Sequence, residues 1–177
     1  MPKKLVLFLL VLFAFGFAES KAQATNTVNT RAKFKSLFIN NFTKYIEWPE
    51  GAVSDSFVIG VLNHEELYKA LSLTAKTKKI ADYNVSVRKY SDLSKVSSCQ
   101  VFYADSDSKY SVNELFNAIA SKPVMLVTEG FPDNSTMFNF QVTGTRIHFQ
   151  MNTANITNQG LIVSDALEKL ASCLLYT

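Results

Sequence analysis

The chain has 177 residues, with 18 Lys and Arg against 15 Asp and Glu, a formal net charge of +3. That balance makes no case for nucleic acid or an acidic surface as partner. Two cysteines exclude a framework of several disulfides.

Lys3 and Lys4 precede an uncharged apolar run, Leu5 to Ala18, and Ala22-Gln23-Ala24 offers an A-x-A spacing. This is the pattern of a cleaved secretory signal over residues 1–24. The apolar run is short of the roughly 20 residues of a spanning helix, which disfavours an uncleaved anchor. Cleavage after Ala24 removes Lys3, Lys4, Lys21 and Glu19, leaving 15 basic and 14 acidic residues in a mature chain with no membrane insertion. Residues 25–30, TNTVNT, read as a flexible lead-in, and 31–177 as one domain.

From Arg31, Phe34, Leu37, Phe38, Phe42, Tyr45 and Ile46 recur at three- and four-residue steps. Lys33, Lys35, Asn40, Thr43, Lys44 and Glu47 occupy the gaps. The spacing predicts an amphipathic helix with its aromatic stripe on the core, ending near Glu47 because Pro49 disfavours helix at Trp48. Phe34, Phe38 and Phe42 are the expected buried rings, while Tyr45 and Trp48, at the turn, are candidates for a partner surface.

Phe57–Leu62 reads as a buried strand and His64–Leu73 as a helix. Lys76–Lys79 reads as a solvated charged face. Tyr83–Tyr90 alternates like an exposed or edge strand. Ser91–Lys95 suggests a helical turn. Cys99–Ala104 and Pro123–Thr128 are further strands, separated by a helix over Ser111–Ala120 with Ser111 and Glu114 in capping-box positions. Met137–Val142 and Arg146–Met151 flank Thr143-Gly144-Thr145 as a hairpin. Asn152 opens a helical connection broken at Gly160. Ser164 caps a last helix whose buried face is Ala166, Leu167, Leu170, Ala171 and Leu174. The expected fold is α/β, a single three-layer domain. It has a mixed sheet of about five to six strands flanked by helices, a C-terminal antiparallel hairpin and a final helix.

Chemistry-bearing constellations are few. His64 and His148 are the two histidines, too few for a metal site unless carboxylates converge. No G-x-S-x-G elbow and no phosphate-binding glycine loop occurs. Asp105, Asp107 and Asp133 read as turn and cap residues. No cofactor is implied. Cys99 and Cys173 could pair in an oxidising compartment or stay as two buried thiols. Asn41, Asn84, Asn134 and Asn155 match glycosylation sequons by chance, since most fall on predicted helix or strand. Arg146, Asn152, Gln159 and Ser164 cluster around the hairpin end and the following turn, and join Tyr45 and Trp48 as candidate partner-binding residues.

The order of segments resembles the YfiR/HmsC-like family. The first half is FINNFTKYIEWP followed by FVIGVL. The second is CQVFYAD, PVMLVTEGF, MFNFQVTGTRIHFQMN and NQGLIVSDALEKLA, carried by Cys99, Gln100, Arg146, Phe149, Asn152, Gly160, Leu161, Ser164, Leu167 and Leu170. The loop Phe131–Thr136 departs from it in lacking glycine. The resemblance implies a periplasmic, non-enzymatic regulator whose partner is an inner-membrane diguanylate cyclase or another membrane sensor protein, and it leaves a homodimer open. It also implies that cysteines can act as redox-sensitive staples. Two alternatives are a periplasmic sensor of a small molecule or cell-wall fragment acting on a histidine kinase, and an exported hydrolase without a recognisable motif.

Overall fold

The computed structural model describes residues 19–174, apart from Lys95, Ser97, Ser98 and Ser121; of residues 19–29 and 170–174 it describes the backbone only. The apolar run of the expected signal lies outside the described residues.

Helix α1 spans Glu19–Phe42, β1 Ile46–Glu47, β2 Phe57–Leu62, α2 Glu65–Ala75, β3 Lys79–Ile80 and β4 Tyr83–Tyr90. Then come β5 Val101–Asp105, a 3-10 turn Ser106–Ser108, α3 Val112–Ile119 and β6 Met125–Glu129. The hairpin β7 Phe138–Thr143 and β8 Arg146–Met151 precedes α4 Thr153–Asn158, β9 Ile162–Val163 and α5 Asp165–Leu174. Residues 25–30 lie within α1. Ser91–Leu93 form bends and Ser94 a turn rather than a helix, because the Asp92 carboxylate accepts from the Ser94 backbone N–H at 2.9 Å and competes with helical bonding.

The main sheet has seven strands, not five or six, in the order β3-β4-β2-β5-β6-β7-β8. β4, β2, β5, β6 and β7 run parallel; β3 and β8 are antiparallel additions at the two ends. All six residues of β2 are buried, as a central strand demands. From β2 the chain crosses to β4 on one side, and from β5 to β6 on the other. Right-handed crossovers in opposite directions place α2 and α3 on opposite faces, giving three layers. The hairpin turn is Gly144-Thr145, with Gly144 at φ 60° and Thr143 paired to Arg146.

Register assigns the two faces. Val61, Tyr103 and Val127 align across β2, β5 and β6, and Asp105 aligns with Glu129. Val127 and Glu129 align in turn with Phe138 and Phe140. On this face α1 lays Phe42 against Phe138 at 4.4 Å between ring centroids and edge-on to Phe149 at 4.7 Å. Phe38 reaches Phe140 and Phe149. The opposite face carries Gly60, where a side chain would meet the Tyr90 ring at 2.7 Å, so Tyr90 and Phe102 close over bare backbone there.

Two expectations about α1 fail. The helix ends at Phe42, and Ile46–Glu47 instead pairs antiparallel with Ile162–Val163. The buried face is also rotated. Ala32, Lys35, Ser36, Ile39, Asn40, Phe42 and Thr43 are buried, whereas Phe34 is 52% and Leu37 44% exposed. Phe38 is only half-buried. A rotation that buried Phe34 would take Lys35 away from its acidic partner, described below. At the other end, Leu167 is buried but Ala166 is exposed; the side chains of Leu170, Ala171 and Leu174 lie outside the described residues.

Candidate functional site

The parallel strands taken in chain order are β2, β4, β5, β6 and β7, and their spatial order is 2-1-3-4-5. In such sheets the chain leaves β2 and β5 in opposite directions, which opens a crevice at their carboxyl ends. Here that crevice is built by Asn63 and His64 after β2 and by Asp105, Asp107 and Ser108 at the end of β5. It forms a cleft of about 420 Å³.

Beneath it lies a buried polar cluster. Lys35 reaches down from α1, 4% exposed, and its Nζ donates to Glu129 Oε2 at 2.5 Å. The Tyr103 hydroxyl donates to the same oxygen at 2.5 Å. Lys35 also lies 5.8 Å from the centre of the Tyr103 ring, and the His64 ring meets that ring edge-on. The alternation of β5 and β6 dictates this arrangement, since Tyr103, Asp105 and Glu129 all point toward α1. A buried lysine is tolerated only with such compensation.

His64 is the N-cap of α2. Its Nδ1 accepts from the Leu67 backbone N–H at 3.2 Å, so in the neutral ring Nε2 carries the proton. That Nε2 faces Lys35 Nζ at 3.4 Å, donor against donor. Burial first, and the Lys35 charge second, hold the imidazole below its ordinary 6.5. Asp105 is held above its ordinary 3.8, chiefly by burial and then by the neighbouring Asp107 and Glu129 against the pull of His64. Burial and the Glu129 carboxylate push Tyr103 well above 10.0. Perturbed groups gathered at the switch point of a parallel sheet make this crevice the candidate binding site. No described group of three His, Cys, Asp or Glu side chains is arranged to hold a metal ion.

The six residues chosen from sequence do not form one site. Tyr45 and Ser164 meet, the Ser164 N–H donating to the Tyr45 carbonyl at 2.9 Å beside the β1–β9 ribbon. Trp48 follows that ribbon, edge-on to Phe57 at 5.0 Å, and lines a second cleft of about 600 Å³ with Ile46, Pro49, Tyr83 and Lys79. Trp48 Nε1 and Ser164 Oγ are shielded from solvent without a hydrogen-bond partner. The remaining polar groups serve the scaffold. Asn152 caps α4, accepting from the Asn155 N–H, and its amide donates to the Asn134 carbonyl. Gln159 donates to the Ile119 and Lys122 carbonyls, tying α4 to the end of α3. Arg146 is exposed beside the hairpin turn. Cys99 is a buried free thiol pushed up to about 12 by burial; the side chain of Cys173 lies outside the described residues.

Sequence reading passed over Lys35 as a polar gap, His64 as the first residue of a helix, Asp105 as a turn or cap residue and Glu129 altogether. The available signal was a polar residue directly after each apolar strand, at VLNH, FYAD and LVTE.

Fold and cleft define an α/β domain with a crevice at its switch point. Comparison with known proteins then places it. The sequence family described as YfiR/HmsC-like matches residues 32–172, and the chain belongs to that family, whose members are periplasmic regulators. No curated protein matches. A solved structure of YbdL from Escherichia coli, described as having a methionine aminotransferase function, is 10% identical. The match covers 75% of this chain and 38% of that one, with a TM-score of 0.37, too low to bear on activity. No helix among the described residues is long and apolar enough to cross a membrane.

Proposed function

We propose that the protein is exported, trimmed after Ala24, and acts as a non-enzymatic periplasmic regulator. Its target is the periplasmic sensor part of an inner-membrane diguanylate cyclase, which it holds inactive and so controls cyclic di-GMP. Family membership across residues 32–172 carries this reading. Trimming would shorten α1 to residues 25–42 and leave Lys35, Phe38 and Phe42 in place.

Regulation of this kind requires a partner with two conformations bound unequally. Driving the partner from almost fully active to almost fully inactive needs roughly 5.5 kcal/mol of differential affinity. The Trp48 cleft and the adjoining β1–β9 ribbon suit the docking face. Trp48 offers a large ring with an unpartnered indole N–H, the kind of group that anchors interfaces. Tyr45 and Ser164 flank it.

The test is co-purification of the protein with its membrane partner, wild type against Trp48→Ala, with melting temperature measured alongside. Weakened capture at unchanged stability supports the reading. Capture of no membrane protein with a cyclase domain, together with unchanged cellular cyclic di-GMP on deletion, overturns it.

A further inference from the structure

The cleft at the ends of β2 and β5 is built for a cation. Helix α2 starts there, and a helix N-terminus ordinarily attracts anions. In this chain the position is already filled by its own groups: Glu65 and Glu66 occupy the first turn, and His64 Nδ1 takes the Leu67 N–H. The opposite wall contributes Asp105 and Asp107. Glu65 is engaged by Lys69 and Lys89, which leaves Glu66, Asp105 and Asp107 facing the space. Of the nearby cations, Lys35 is paired with Glu129, and Lys109, itself on the cleft wall with its Nζ 5.6 Å from the centre of the Tyr110 ring, is outnumbered there by carboxylates.

An independent observation points the same way. Ser108 is 5% exposed, lies on the wall of the cleft, and its Oγ has no hydrogen-bond partner. Glu66 Oε2 is likewise shielded and unpartnered. Buried polar atoms are normally satisfied, so an orphaned carboxylate oxygen on the α2 side of the cleft and an orphaned hydroxyl on the β5 side call for a donor from outside. A metal ion is the wrong donor, because no described set of three ligating side chains is arranged for one.

We propose that this cleft binds a small aliphatic amine. The ammonium group donates to Asp105, Glu66 and the Ser108 hydroxyl, with Asp107 at the exposed rim. An ammonium has three donors and no acceptor, which matches a wall of acceptors. A cleft of about 420 Å³ suits a ligand of a few carbons. This site stands apart from the Trp48 cleft and does not depend on the regulatory reading.

The test is an amide-resolved NMR titration of the purified protein with putrescine, with butanediol and succinate as matched neutral and anionic probes. Putrescine is expected to shift the amides of Asn63–Glu66 and Asp105–Lys109, and the other two are not. Asp105→Asn and Ser108→Ala are expected to weaken putrescine roughly tenfold or more, since each removes a charge-assisted or buried hydrogen bond. Asp107 is exposed, so Asp107→Asn tests the charge requirement without endangering the fold; melting temperatures confirm it. The proposal is overturned if putrescine leaves these amides unmoved, if all three variants bind as wild type does, or if succinate shifts the same amides instead. Because the protein is tested alone, failure here leaves its regulatory role untouched.

Discussion

Substituting Lys35 by Met removes one member of the pair that locks α1 to the sheet. Methionine keeps the stem volume, so packing changes little and the charge is what is lost. Breaking a buried ion pair by deleting one partner costs about 3–5 kcal/mol. Glu129 retains 22% exposure of its side chain and the Tyr103 hydroxyl still donates to it. Both facts place the expected loss below that range, at about 2–3 kcal/mol. For a chain of this length that is a fall in melting temperature of roughly 5–10 °C. The decisive measurement is a double-mutant cycle by urea denaturation with Lys35→Met, Glu129→Gln and their combination. If the loss comes from an uncompensated carboxylate, adding Glu129→Gln to the Lys35→Met variant restores at least about 1 kcal/mol. A single-variant loss below about 1 kcal/mol, or no recovery in the double variant, refutes the reasoning.

The titrating groups of the cleft make opposed predictions. His64 has its pKa lowered by burial and Lys35, so the unfolded chain takes a proton near pH 6.5 that the folded chain refuses. Stability therefore falls as pH drops below about 6.5 and is unaffected well above it. His64→Asn keeps the helix cap and should flatten that part of the profile; an unchanged profile is the contrary result. Asp105 has its pKa raised by burial, so the folded state protonates first and ionisation costs stability. Asp105→Asn should raise the melting temperature at pH 7 while weakening amine binding, and a lowered melting temperature argues against it. Cys99, buried and pushed up to about 12, should resist iodoacetamide at pH 8 until the protein is unfolded. Peptide mapping that finds rapid native labelling of Cys99 contradicts this. Gly60→Ala should cost about 1–3 kcal/mol by thermal unfolding, because the new methyl meets a Tyr90 ring wedged against Phe102. Near-wild-type stability would mean that the ring can move aside.

The local grammar of this chain is legible in its sequence. Apolar runs bounded by polar residues mark β2, β5, β6 and the hairpin. The Ser111–Glu114 capping box and the Asn152 cap are where nearest-neighbour chemistry puts them. These features depend on residues a few positions apart, so their physics is complete in a short window. The rotation of α1 is different. Its spacing is equally compatible with burying Phe34 and Leu37 or with burying Ala32, Lys35 and Ile39. The choice falls to the second because Glu129, 94 residues away, needs a cation on the face where Tyr103 and Asp105 also point. The end of α1 is likewise settled from outside, by pairing of Ile46–Glu47 with Ile162–Val163. The seventh strand of the main sheet is β3, two residues that are a strand only because they pair with the edge of β4. The cleft exists only because the chain winds away from β2 and from β5, parallel neighbours, in opposite directions, bringing His64 beside Asp105. Sequence supplied each of those residues and the elements that carry them. Their meeting is a property of strand order, a long-range pairing outcome that no local period encodes.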